Sequence, residues 1–146
     1  METKSHPLKI LDPNLAQPLF EDLCQRFKTP EKADMERVGL ENVFQNFPIA
    51  PEQNLEQMCG MATRYFQHFS RRRPLPCHNL KMGLALTLTF LRMNHIDLMA
   101  KEIDLYQVAL DTAYQEMSLE EFSSFLFTHA SCNTSAAIWT LYTAKP

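Results

Sequence analysis

Glycine is scarce: only Gly39, Gly60 and Gly83 occur in 146 residues. Few positions can take the left-handed turns that tight hairpins need, so a hairpin-rich β fold is disfavoured. Cysteine is sparse as well. Cys24, Cys59, Cys77 and Cys132 lie far apart and form no C-x-x-C pair. No Cys/His grouping has zinc-finger spacing, and the neighbours Cys77 and His78 do not make a metal site by themselves. No metal is expected, and a reducing interior suits these cysteines better than a disulfide framework. Charge of one sign is missing too. The formal net charge is −3, with a pI of about 5.9, which is not the balance of a nucleic-acid-binding chain. Met1 to Leu15 lacks a signal-peptide apolar core. No apolar run is long enough to span a bilayer. A soluble cytoplasmic chain with no membrane partner is expected, with secretion lacking a cleaved signal left open.

What is present points to helices. An apolar fraction of 45% is enough for one domain with a real core, and 1–146 is read as a single unit. Nine prolines mark the loops between helices. Residues 1–11 read as a loose lead-in, with a short extended piece at Leu8 to Leu11. Asp12-Pro13 is a helix start, with a capping carboxylate and proline in the first turn. That helix should reach Phe27, with Pro18 kinking or restarting it. Thr29-Pro30 repeats the signal and predicts a second helix to about Asn46. Phe47 to Pro51 is a proline-flanked loop. Asn54 should cap a third helix through Phe69, and Asp97 a later one through Ala113. Ser118 and Glu121 form a capping box ahead of Phe122, Phe125 and His129. Asn133 should open a last short helix carrying Ile138, Trp139 and Tyr142. Any strand pair should be short and lie near Leu8–Leu11 or Phe47–Ile49.

One stretch organises the rest: R-P-L-P-C-H-N-L-K-M-G-L-A-L-T-L-T-F-L-R-M-N-H, from Arg73 to His95. After a proline-broken turn it is apolar around nearly its whole circumference. Leu80, Leu84, Leu88 and Leu91 share one helical face. This pattern predicts a central helix from about Asn79 to Asn94, buried on most sides, Leu88 included. Met58, Met61, Met82, Met93 and Met99 read as core fillers.

The same stretch resembles the Fic/Doc (death-on-curing) family. The family motif reads H-x-F-x-(D/E)-(G/A)-N-(K/G)-R-(T), then an apolar helix ending in a phrase like F-L-x-x-N-G. Phe90-Leu91-Arg92-Met93-Asn94-His95 is similar to that phrase, and Asn79 falls on the motif asparagine. Leu110 to Ala113 followed by Met117 to Phe122 is similar to the turn and capped helix beyond the motif. The likeness covers roughly Asn54 to His129. Elsewhere the motif is eroded. The histidine position is Arg73, the phenylalanine Leu75, the acidic residue Cys77, the small residue His78, and the arginine position Lys81.

The resemblance implies an all-α, Fic/Doc-like bundle, with each family role open to a chemical check. The family histidine is a general base, and a guanidinium at Arg73 cannot accept a proton. The family acid holds magnesium, and Cys77 is a poor ligand for a hard cation. Pro76 removes a backbone donor from the phosphate cradle, and His78 crowds it. Lys81 keeps the charge without the planar fork. The first expectation is therefore a degenerate member that has lost nucleotidyl or phosphoryl transfer and binds a protein partner or an anionic ligand. Residual ATP or phosphate binding would fall to Arg73, His78, Asn79 and Lys81, and no cofactor is otherwise expected. The competing expectation is an ATP-dependent transferase with a rearranged site, modifying a protein hydroxyl, with His78 or His68 as replacement base. Cys77-His78 as a nucleophile pair is a weaker alternative. A bacterial toxin–antitoxin role, or delivery into a host cell, fits either chemistry.

Overall fold

The computed structural model describes residues 8–49 and 53–132. Among these residues the fold is all-α apart from one two-stranded sheet. The carboxylate of Asp12 accepts the Asn14 N–H at 2.9 Å and opens a 3-10 turn, Pro13–Leu15. This leads directly into α1, Ala16–Phe27, which buries Ala16, Phe20 and Cys24 at a four-residue spacing. Pro18 sits in the first turn of α1, where a backbone N–H has no helical partner to lose, so no break results. Lys28 ends α1 in the left-handed region, at φ 54°.

The expected second helix is replaced by two 3-10 turns, Met35–Arg37 and Leu40–Asn42. Asp34 caps the first through the Glu36 N–H, and Gly39, at φ 60°, breaks the chain direction between them. A left-handed residue cannot sit inside an α-helix, so the run from Thr29 to Asn46 cannot be one helix. Helix α2, Leu55–Arg72, begins as expected at Asn54, in a capping box with Gln57. Helix α3, Asn79–Met93, follows a turn. Strand β1 is Ile96–Leu98, α4 is Glu102–Ala113, α5 is Leu119–His129, and β2 is Ala130–Cys132.

Asp97 lies inside β1 and does not cap α4; Lys101 precedes that helix and offers no side-chain cap. The Ser118–Glu121 capping box at α5 is present in both directions. The strands pair antiparallel, Ile96 with Cys132, Asp97 with Ser131 and Leu98 with Ala130. The pair therefore lies at neither expected place. Residues 8–11 form no strand, yet they are anchored: the Leu11 N–H donates to the Tyr65 hydroxyl at 3.1 Å. The last helix expected from Asn133 lies outside the described residues. Among these residues no helix is long and apolar enough to cross a membrane.

The core sits between α2 and α3. Met58, Met61, Ala62, Tyr65, Phe66 and Phe69 of α2 face Met82, Leu86, Phe90 and Leu91 of α3, all nearly inaccessible. The helices approach closely at Gly83, where a Cβ would come within 3.2 Å of a Phe66 ring carbon and 3.3 Å of its carbonyl oxygen. Thr87 adds a hydrogen bond across the seam, to the Ala62 carbonyl at 3.2 Å. Phe66 stacks on Phe122 of α5 with ring centroids 4.4 Å apart.

The buried face of α3 differs from the expected one. It carries Met82, Leu86 and Phe90, while Leu88 is 36% exposed. Met99 is 70% exposed and fills no core space. The more deeply buried helix is α2, although its sequence is more polar. Among the described residues α3 packs on α1, α2 and α4, while α5 covers α2 from another side.

Candidate functional site

The turn between α2 and α3 carries the residues that the sequence singled out. Arg73 ends α2 in the left-handed region at φ 51°. Its backbone N–H closes onto the Phe69 carbonyl, and its side chain is exposed. Leu75 turns inward and is buried. Asn79 then folds its amide back on that residue. Its Oδ1 accepts the Leu75 N–H at 3.0 Å and its Nδ2 donates to the Leu75 carbonyl at 2.8 Å. A primary amide bonded this way replaces a strand partner, so residues 75–79 form a closed loop. Both the oxygen and the nitrogen of the Asn79 amide are thus engaged by protein backbone.

His78 precedes α3 at φ 63°. That left-handed step swings its ring toward α1. Nε2 lies 2.8 Å from the Thr29 hydroxyl, and the ring packs on Phe27 and Phe20 with centroids 5.5 and 6.4 Å away. Burial holds the imidazole below its ordinary pKa, and the Lys81 ammonium adds to this. Lys81 places Nζ 4.7 Å from the Phe27 ring centroid, a cation–π contact. His78 and Lys81 thus share Phe27 on the α1 side. Arg73 and Asn79 line a different space, a cavity of about 90 Å³ shared with Ser70, Leu110 and Tyr114 on the α4 side. The four expected anion-site residues fall into two pairs.

His68 is a core residue. It is buried on α2, and its Nε2–H donates to the Val38 carbonyl. Burial lowers its pKa, with the Val38 carbonyl pulling the other way. Of the basic run, Arg71 donates from Nη2 to the Thr112 carbonyl at 3.3 Å, tying α2 to α4.

The fold also assembles a group that residue spacing concealed. The Sγ atoms of Cys24 and Cys77 and a ring nitrogen of His78 all lie within 4.8 Å of one another. Cys24 comes from α1, a long way back in sequence. The signal was its place on the buried Ala16–Phe20–Cys24 face. The Thr29 hydroxyl that hydrogen-bonds His78 also favours the Cys77 thiolate. Burial and the Cys24 thiol raise the Cys77 pKa, against a smaller lowering by Thr29. Cys77 is therefore a protonated thiol at neutral pH, and the nucleophile-pair reading loses its thiolate.

A third feature is apolar. Leu84, Leu88, Ile103, Leu105 and Tyr106 line a groove of about 650 Å³ between α3 and α4. It adjoins a second hollow of about 530 Å³ through Leu88, running along β1 from Ile96 to Met99. Ile103 and Met99 are 71% and 70% exposed there. Compared with family models, with curated proteins and with solved structures, the chain matches none.

Proposed function

We propose that the chain is a degenerate Fic/Doc-like helical protein that has lost nucleotidyl and phosphoryl transfer and works by binding a protein partner. The observation that carries this reading is the Asn79 amide, held at both its oxygen and its nitrogen by the Leu75 backbone. In the family this asparagine belongs to a phosphate cradle. Here one amide donor and one acceptor site are committed to the loop itself, which fixes the side chain on Leu75 and leaves it less free to serve a phosphate. Arg73 stands where the family has a proton acceptor. Replacement bases are poorly placed as well: His68 is tied to Val38 and His78 to Thr29.

Binding then falls to the exposed apolar face of α3, β1 and α4. Leu88, Met99, Ile103 and Tyr106 together form a patch of the kind that marks protein contact. The partner in this reading is a protein segment offering apolar side chains to the groove. An anionic ligand would be left to the exposed Arg72 and Arg73 at the C-terminal end of α2, where cations are already favoured by the helix dipole.

The experiment is transfer of label from ATP, with magnesium, to a hydroxyl-bearing protein by the wild-type chain. No transfer is expected. Clear turnover would overturn the reading and favour a rearranged transferase, with His78 and His68 the first bases to mutate. A partner captured by the wild type should be lost with Ile103→Asp and kept with Ile10→Asp, since Ile10 is exposed elsewhere.

A further inference from the structure

We propose that Cys24, Cys77 and His78 hold one zinc ion, with the Thr29 hydroxyl or a water as fourth donor. This is independent of the transfer question, because it uses α1 and the turn before α3 as a staple. Four features carry it.

Proximity comes first. Two thiols and an imidazole converge within 4.8 Å, and among the described residues this is the one such group. In a tetrahedral zinc shell, Zn–S is about 2.3 Å and Zn–N about 2.0–2.1 Å, which puts donor atoms roughly 3.5–3.8 Å apart. Closing the gap takes about 1 Å of side-chain movement, within the reach of χ1 and χ2 adjustments.

Donor chemistry comes second. Sulfur and imidazole select zinc or copper(I) over magnesium and calcium, which require oxygen. Two thiolates and a neutral imidazole cancel the charge of Zn²⁺, so the partly buried site ends neutral. Binding releases the two thiol protons to solvent.

Third, the backbone is arranged for convergence. Neighbouring side chains on an extended chain point apart, and here the left-handed φ of 63° at His78 turns its ring back to the side of the Cys77 thiol. Non-glycine residues at such angles are uncommon. The Thr29 hydroxyl, hydrogen-bonded to His78 at 2.8 Å, lies beside the group.

Access is the fourth. Cys24 is buried, with its thiol donating to the Pro30 carbonyl at 3.2 Å, but Cys77 and His78 are half-exposed and leave a route for the ion.

The test uses the full reduced chain, stripped of metal. Zn²⁺ is titrated against a chromophoric chelator, and Co²⁺ is used as a spectroscopic stand-in. One equivalent should bind. Co²⁺ should give thiolate-to-metal charge-transfer absorption with intense tetrahedral ligand-field bands, displaced by Zn²⁺. The melting temperature should rise with free Zn²⁺. Cys77→Ser and His78→Gln change half-exposed residues and should fold; each should weaken binding at least about tenfold. Cys59→Ser removes a thiol outside the group and should bind as the wild type does. The proposal is overturned if the reduced chain takes up no stoichiometric zinc, if the cobalt spectrum lacks thiolate bands, or if Cys77→Ser and His78→Gln bind like the wild type. A Cys24–Cys77 disulfide that persists in mild reductant, with no metal uptake, overturns it too.

Discussion

The two ends of α3 are built alike and used differently. Each is closed by an asparagine whose amide pairs with a peptide unit. At the N-terminal end, Asn79 binds Leu75, four residues back, and shapes a local loop. At the C-terminal end, Asn94 binds both backbone groups of Lys9, 85 positions away, at 2.9 and 3.0 Å. Asn94 also donates to the Phe90 carbonyl at 2.8 Å. One amide orders a turn and the other fastens the N-terminal segment to the core. The thiols and a histidine converge at the first end, where Cys24, Cys77 and His78 lie together near that turn, while the second carries the Arg92–Asp97 ion pair. A local loop can be remodelled without undoing the fold, so chemistry can vary there. A long-range clasp cannot.

Asn94→Ala tests the clasp and should have the largest effect. It removes three hydrogen bonds at a site 2% exposed and leaves backbone groups of Lys9 unpaired, so a loss of about 3 kcal/mol is expected in urea unfolding. Asn79→Ala should cost less, about 2 kcal/mol, because only two bonds within one loop are lost. Equal losses would remove the distinction between the ends.

The seam between α2 and α3 gives an intermediate case. Gly83→Ala pushes a methyl group against the Phe66 backbone as well as its ring, which cannot move away freely, and should cost about 1–3 kcal/mol. On the outer face of α3, Leu88→Asp should stay within about 0.5 kcal/mol, as surface changes do. Unfolding of the domain by that substitution would mean that Leu88 is core after all.

His68 supplies a pH-dependent comparison. Its folded pKa lies below the unfolded value of about 6.5, so below that pH the unfolded chain binds a proton that the folded chain resists. Its contribution is complete above that pH and is lost as pH falls through the folded value. Urea midpoints should therefore fall more steeply on acidification for the wild type than for His68→Gln. Parallel curves would assign the acid sensitivity to other groups.

Several helix starts were readable from a capping side chain, although the Asp34 cap was hidden inside the run taken for one helix. Asn54, Ser118 and Asp12 all bond as their types and spacing suggest. Apolar density was a poorer guide. It made α3 the centre, whereas α2 buries more of its surface, hiding polar residues such as Thr63, which bonds the Cys59 carbonyl at 2.8 Å. Polar side chains satisfied inside a helix look like surface residues in a sequence. Gly39 carried a visible warning against a helix from Thr29 to Asn46, but its left-handed φ depends on the fold. The grouping of the candidate residues was only partly legible. Arg73, His78, Asn79 and Lys81 were identified by type, yet their grouping depends on which side of the turn each one faces. Cys24 was invisible as a partner of Cys77, because no local spacing joins α1 to the turn before α3.

In the proposed Fic/Doc-like reading, the α2–α3 turn is a closed structural loop, and the loss of transfer is distributed over base, metal ligand and cradle. The most direct measurement compares ATP-dependent labelling of a hydroxyl-bearing target by the wild type, by Arg73→His, and by the combination Arg73→His, Cys77→Asp, His78→Gly and Lys81→Arg. Groups that act as a unit are not restored one at a time. The account predicts no turnover for the wild type or the single variant, with any recovery confined to the combination. Turnover by the wild type, or by Arg73→His alone, would contradict it.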